Sequence, residues 1–293
     1  MVYYNTLEQK IFNIITAFIL IILSLIIIYP VVYVLFASLS DPVKLMSNTK
    51  VLVKPLGFSV EAYKLVFKHP LLLSSYKNTI IYVVVGTSIN LFMTTLGAYV
   101  LSRRDAFFKK YIMIMVVITM FFGGGLIPSW LLVKNLGMLD TMWALVIPGA
   151  ISAWNMIIMR TGFMALPSSL EESATIDGAN DFVILWRIIL PMAKPVIAVM
   201  VLFYGVSHWN SWFGAMIYLR SREKYPLQLV LREILVTQTM RDIAQDIDAV
   251  DFMPIEQTIK YATIVVATVP IMCVYPFLQK YFAKGVLIGA LKG

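Results

Sequence analysis

The chain has 293 residues, 60% of them hydrophobic and only 14% charged, with a net charge of +8 and one cysteine. Globular domains carry roughly 25% charged residues, so a mean hydropathy of +0.82 excludes an ordinary water-soluble domain, and the lone Cys273 excludes an internal disulfide or a cysteine metal cluster. The basic residues are scattered over every loop with no dense stripe, which argues against a nucleic-acid partner and fits anionic lipid or an anionic solute.

After a short polar start, uncharged windows run over 11–40, 78–102, 111–133, 141–159, 195–219 and 261–279. Each is long enough for a helix rising 1.5 Å per residue to cross a hydrocarbon core of roughly 30 Å. The windows are apolar all round and lack period-two alternation, which predicts an all-α polytopic membrane protein with six transmembrane helices rather than a β-barrel. The first window would also suit a cleaved signal peptide, but its apolar run is about twice the usual length and only Lys10, set against Glu8, precedes it. An even number of spans puts both termini on one face. The long connections 41–77 and 220–260 then share the other face, opposite the polar links around 103–110 and 160–194. Lys and Arg divide almost evenly between the faces, so charge bias alone does not orient the chain.

Several windows carry interruptions: Gly123, Gly124 and Gly125 with Pro128, then Pro148, and Pro270 and Pro276 in the last window. Such residues loosen the helical ladder where neighbours or a water-filled cavity satisfy the freed groups. Close packing through small residues is the alternative.

The stretch "PSSLEESATIDGANDFVILWRIILPMAKP", starting at Pro167, is polar and acid-rich between two apolar windows. Ser168 or Ser169 followed by Glu171 and Glu172 predicts a capping box opening a helix, and Gly178 ends it after about nine residues, roughly 13 Å, too short to span. A second short helix is expected from Asp181 to Pro191, where the missing N–H stops it before Pro195 opens the next span. An interfacial amphipathic connector is the plain reading.

The spacing of Glu172, Ala174, Gly178, Ile188, Leu190 and Pro191 closely resembles the EAA signature of the permease subunits of ABC importers, with Ser173 in place of the first alanine. The likeness covers essentially the whole chain. "GGGLIPSWLLVKNLGMLDTMWALVIPGAISAWNMIIMR", "HWNSWFGAMIYL" and "QKYFAKGVLIGALKG" are similar to the MalG-like subunits of the carbohydrate-uptake branch, of the LplC and YtcP type. The resemblance implies a type I ABC importer permease fold over 1–293, in a bacterial cytoplasmic (inner) membrane with both termini cytoplasmic. It makes 165–195 a cytoplasmic coupling loop and 41–77 and 220–260 extracytoplasmic loops. The implied partners are a second homologous permease subunit, two cytoplasmic ATPase subunits that use ATP and Mg, an extracytoplasmic solute-binding protein and a saccharide, alginate or another uronate oligomer among the candidates. This chain itself would bind no cofactor and no metal. In the coupling loop the carboxylates of Glu171, Glu172 and Asp177 would meet a basic groove of the ATPase, and small Ala174 and Gly178 would permit close approach.

A candidate substrate pathway lies in "FYGVSHWNSWFGAMIY", which holds Tyr204, His208, Trp209, Asn210 and Trp212. Trp209 and Trp212 are three apart and His208 and Trp212 four apart, which predicts a shared helix face. Aromatic rings stack on sugars while His208 and Asn210 bond hydroxyls, although Trp and Tyr also gather at membrane interfaces for other reasons. Trp154 and Asn155 form a second candidate. In 220–260, Asp242, Asp246, Asp248, Asp251 and Glu256 lack the frame of a calcium loop, which leaves a solvated docking face; by resemblance it would meet the binding protein. The tail "KGVLIGALKG" resembles the family's C-terminal extension towards the ATPase.

No H-E-x-x-H, G-x-S-x-G or P-loop occurs, so a non-catalytic subunit driven by a separate ATPase is expected. An ion-gradient-driven secondary transporter would place ionisable residues within its spans, and the uncharged windows hold no Asp, Glu, Lys or Arg. A permease for a non-sugar solute is the nearer alternative.

Overall fold

The computed structural model describes residues 7–103, 105–236 and 249–290, and their regular structure is helical apart from one antiparallel bridge between Ser40 and Phe58. The chain divides into two units, Met1–Pro70 with Glu233–Thr268, and Leu71–Arg232 with Val269–Gly293.

In the first unit, α1 (Leu7–Ser38) is a 32-residue apolar helix whose hydrophobic side chains stay exposed along most of its length. A helix apolar on every side gains nothing from a single packed face and suits a lipid or partner-helix environment. The stretch after it is folded rather than open. Asp41 caps α2 (Pro42–Met46) by accepting the N–H groups of Val43 and Lys44 at 3.1 Å, and Ser38 Oγ bonds Tyr63 OH of α3 (Glu61–Lys68) at 2.7 Å. Ala37, Leu45 and Leu52 form a small core, closed by Tyr33 against the edge of Tyr261 at 5.8 Å.

The second unit is built on α4 (Leu72–Ser102), which packs against α8 (Ala153–Met164) and α12 (Lys194–Trp209). Its buried side is small or polar at helical spacing: Ser75, Thr79, Tyr82, Gly86, Asn90, Thr94 and Ala98. Small residues let backbones approach closely in a membrane, where apolar burial alone does not drive helices together. At Gly86 the approach is complete, since a Cβ there would lie 2.5 Å from His208 Nε2.

The six windows are helical, but only three are unbroken. Gln9–Ser38, Leu72–Ser102 and Ile255–Val274 are long and apolar enough to cross a membrane as single helices. The third window breaks at Gly123 to Gly125 into α5 (Lys109–Phe121) and α6 (Leu126–Asn135), bent by 112°. The fourth separates around Pro148 and Gly149 into α7 (Trp143–Val146) and α8. The fifth stops at Trp209, and α13 (Phe213–Tyr218) follows after a turn. Glycine runs and proline, with their backbone freedom or missing N–H, account for the first two breaks. The last helix, α15 (Ala249–Ala290), behaves differently, running unbroken through Pro270 and Pro276 and on into the tail. It begins well inside the stretch expected to be loop, and α14 (Leu227–Val236) occupies the start of that stretch.

Candidate functional site

The polar segment after α8 folds as α9 (Ser168–Ile176), a glycine turn, and a second helical stretch made of α10 (Asp181–Ile184), a π-turn over Leu185–Ile189 and α11 (Leu190–Met192). Gly178 ends α9 at φ +82°, a left-handed position that favours glycine. Around it the Ala179 N–H donates to the Ala174 carbonyl at 2.9 Å and the Gly178 N–H to Thr175 at 3.0 Å, so both orphan carbonyls are satisfied. Asn180 then caps α10, its Oδ1 accepting the Val183 N–H at 2.9 Å.

One expectation fails here. The capping box does not form: Pro167 occupies the cap position with no side-chain bond to the helix, and Glu171 turns away to an arginine. The second helix ends as expected at the proline, its last residue being Met192, one beyond Pro191. The π-turn just before the proline sends the Leu190 N–H to Leu185, five residues back, and this wider turn relieves the clash a proline ring makes in a tighter ladder. The chain then bends by 84° between Asp181–Met192 and α12.

Ala174, Ile184, Leu185 and Ile189 are buried in one core with Tyr99, Met159 and Phe163, and Ile188 and Leu190 pack on its edge. Ala174 therefore seats α9 on its own bundle instead of standing at an outer contact. The outward face of α9 carries Glu172, Ser173, Asp177 and Ile176, the last 85% exposed. Glu171 is only half-exposed. Its Oε2 accepts from Arg103 Nη1 at 3.2 Å, while the same guanidinium reaches Asp105 at 3.3 Å, Asp181 at 3.4 Å and Tyr99 OH at 3.2 Å. Arg103, Lys109, Glu171 and Glu172 line a cleft of about 740 Å³ beside α9.

Midway along α4, Asn90 Nδ2 donates to the Gly149 carbonyl at 2.6 Å, leaving Oδ1 to accept from His208 Nε2, also at 2.6 Å. Nε2 therefore carries the proton. One turn away Thr94 Oγ1 and Tyr204 OH bond at 2.7 Å, and Tyr204 OH also accepts the Ser152 N–H at 3.3 Å. These bonds tie α4 and α12 to the non-helical stretch before α8.

The pathway candidates are consequently split. Tyr204, Asn155 and Trp209 are buried, with Trp209 against Tyr76 at 6.4 Å, and His208 is turned to Asn90. Trp154 is 61% exposed and Asn210 is exposed. Trp212 does not share a face with Trp209 or His208, because α12 ends before it; it meets Phe213 edge-to-face at 5.5 Å and lies under the Arg232 guanidinium at 4.3 Å.

At the opposite end of α4 a third cluster gathers around Asp140, a residue at φ 57°. Its carboxylate accepts from Lys224 Nζ at 2.8 Å, Ser221 Oγ at 2.7 Å and the N–H groups of Ser221 and Arg220 at 3.0 Å. The Lys224 ammonium first, then the Ser221 hydroxyl and the two N–H groups, hold this carboxyl well below the usual range. The α4 residues Asn78, Tyr82 and Thr79 bond the same loop: Asn78 and Tyr82 donate to the carbonyls of Glu223 and Lys224 at 2.6 and 2.8 Å, and Thr79 Oγ1 accepts the Leu227 N–H at 2.7 Å. Sequence reasoning missed Arg103, Asn90 and Asp140, whose partners on other elements lie 59 to 118 residues away and leave no local signal. Asp242, Asp246 and Asp248 lie outside the described residues, as does the Asp251 side chain, while Glu256 pairs with Lys260 at 2.8 Å.

A helical bundle of apolar spans carrying a short, glycine-hinged polar segment between two of them is the build of a membrane transport subunit. Residues 95–288 match the family of the binding-protein-dependent transport system inner membrane component, and the chain belongs to that family. It is 42% identical over 287 residues, 98% of this chain and 100% of the relative, to the polygalacturonan/rhamnogalacturonan transport system permease protein YtcP of Bacillus subtilis (strain 168). To Protein LplC of the same organism it is also 42% identical, over 294 residues, 99% of this chain and 98% of the relative. Among solved structures it matches, at 34% identity and a TM-score of 0.83, a chain from a crystal structure of a bacterial ABC transporter involved in the import of the acidic polysaccharide alginate, covering 95% of this chain and 99% of that one.

Proposed function

We propose that this chain is one permease half of an ATP-driven importer of acidic oligo- or polysaccharides, and that α9 is the element through which separate ATPase subunits drive it. The observation that carries the reading is the presentation of α9. Its inner side is anchored by buried Ala174, its end is fixed by Gly178 at φ +82°, and its outer side offers an apolar knob, Ile176, between the carboxylates of Glu172 and Asp177. A knob flanked by charges suits a cleft on a partner protein, where a buried apolar anchor gives affinity and rim charges give register.

The saccharide class is supported by the relatives, since polygalacturonan and alginate are both uronate polymers. With α9 cytoplasmic, both termini lie inside, the Asp140 cluster faces outward, and 41–77 and 220–260 meet a solute-binding protein. ATP and Mg belong to the ATPase partners. The test is ATPase stimulation of the reconstituted complex by loaded binding protein. Glu172→Lys or Ile176→Asp is expected to abolish stimulation while the complex still assembles, and uronate oligomers are expected to stimulate where neutral maltooligosaccharides do not. Unchanged stimulation in both variants overturns the coupling role; stimulation by neutral sugars alone overturns the substrate class.

A further inference from the structure

Glu171, Asp181 and Asp105 converge on one guanidinium, and that guanidinium is fixed to the last turn of α4. Arg103 is the residue that closes α4, and Lys109 Nζ bonds its carbonyl at 2.8 Å. Its three side-chain nitrogens are divided among three carboxylates: Nε to Asp105, Nη1 to Glu171 and Nη2 to Asp181. The Glu171 contact is the most enclosed, with side chains 18% and 26% exposed, whereas Asp105 and Asp181 are 75% and 70% exposed. Exposed pairs contribute little, so the grip on α9 is chiefly the Arg103–Glu171 bond, with Asp181 tying in the second helix. From Arg103, α4 runs without a break to the residues that hold the Asp140 loop, about 37 Å away at 1.5 Å per residue.

We infer that Arg103 is the positioning residue that locks α9 and α10 to α4, so that α4 moves as a rod with the coupling segment and carries its displacement to the loop 220–227 at the other end. The inference rests on the reading of α9 as the coupling element. A fork with three separate partners is a task for arginine; a lysine ammonium supplies a point charge and cannot reproduce the fixed, planar division among three acids. Glu171 thus works inside the chain, holding α9 in place, and the partner-facing acids are Glu172 and Asp177.

The test uses the complete complex in lipid nanodiscs with partner permease, ATPases and binding protein loaded with an alginate or galacturonate oligosaccharide. Arg103→Gln is expected to assemble normally and to lower the ratio of stimulated to basal ATPase by about tenfold. Arg103→Lys is expected not to restore it, and Arg103→Gln with Glu171→Gln is expected to be no worse than Arg103→Gln alone. In a Cys273→Ser background, spin labels at Leu73 on α4 and Phe182 on α10 report the link itself, since both positions are well exposed. Their distance is expected to stay single and narrow through the nucleotide cycle, and to broaden in Arg103→Gln. Full rescue by Arg103→Lys, additive losses in the double variant, or an equally narrow distance in Arg103→Gln overturns the inference. If Glu172→Lys and Ile176→Asp abolish stimulation while Arg103→Gln preserves it, the lock alone fails; if all three preserve it, the coupling reading fails first.

Discussion

At the scale of single residues, stability in the second unit rests on polar contacts within and beside a mostly apolar bundle. Asp140 has a folded-state pKa depressed below its unfolded value of about 3.9, chiefly by Lys224. Its contribution is therefore present above about pH 4 and is lost as pH falls from there towards the folded value. Detergent-solubilised protein is expected to lose thermal stability as pH falls below about 4 more steeply than Asp140→Asn, which starts lower and has no such carboxyl to titrate; parallel pH profiles would show that the cluster is not held electrostatically. Gly86→Ala tests the mid-membrane bonds. The added methyl collides with the His208 ring, and overpacking of this kind costs about 1–3 kcal/mol, read as a lowered unfolding midpoint together with loss of the Asn90–His208 bond. Neither site was visible in the sequence. His208 stood out as a histidine in an apolar window, but its acceptor, Asn90, is 118 residues away, and only the close approach at Gly86 brings the two together.

At the scale of elements, local chemistry was legible wherever it was local. The length of α9, its end at Gly178 and the start of α10 beside Asn180 follow from glycine's conformational freedom and a side-chain cap. The capping box misled because Glu171 has a stronger, charge-assisted partner in Arg103 than an N-cap N–H supplies. The serines therefore do no capping, and Ser168→Ala is expected to change stability by less than about 0.5 kcal/mol, where loss of a true cap costs roughly 0.5–2 kcal/mol; thermal unfolding distinguishes the two. Gly178→Val is the opposite case. A β-branched residue forced to φ +82° costs roughly 1–2 kcal/mol and re-aims α9 against the segment that follows, so stimulated ATPase activity should fall much further than the yield of assembled complex. The shared face of Trp209 and Trp212 failed for a related reason. Three-residue spacing implies proximity only while the helix continues, and α12 ends at Trp209.

At the scale of the whole molecule, the windows announced a membrane protein because hydropathy sums over many residues and survives any error in their boundaries. Two of the three breaks were legible too, at Gly123 to Gly125 and around Pro148, whereas the stop at Trp209 carries no glycine or proline to announce it and Pro270 and Pro276 leave α15 unbroken. The breaks matter, because irregular backbone at membrane depth persists only where protein or water satisfies it, and here Asn90 and Tyr204 do so at Gly149 and Ser152. That arrangement sorts the pathway candidates by role. Tyr204, Asn155 and Trp209 are committed to packing within the chain, whereas Trp154 and Asn210 remain uncovered, as a half-channel requires of residues that face a partner or a passing sugar. Tyr204→Phe is expected to lower thermal stability by about 1 kcal/mol, the worth of a buried hydrogen bond, and to leave the saccharide concentration for half-maximal transport unchanged. Trp154→Ala and Asn210→Ala are expected to raise that concentration severalfold, because a ring–sugar stack or a hydroxyl contact is lost, while the unfolding midpoint stays put. Transport measured in proteoliposomes alongside thermal unfolding separates the two classes, and a shift in half-saturation for Tyr204→Phe with none for Trp154→Ala would mean that the route runs through the bundle interior instead of along its uncovered face.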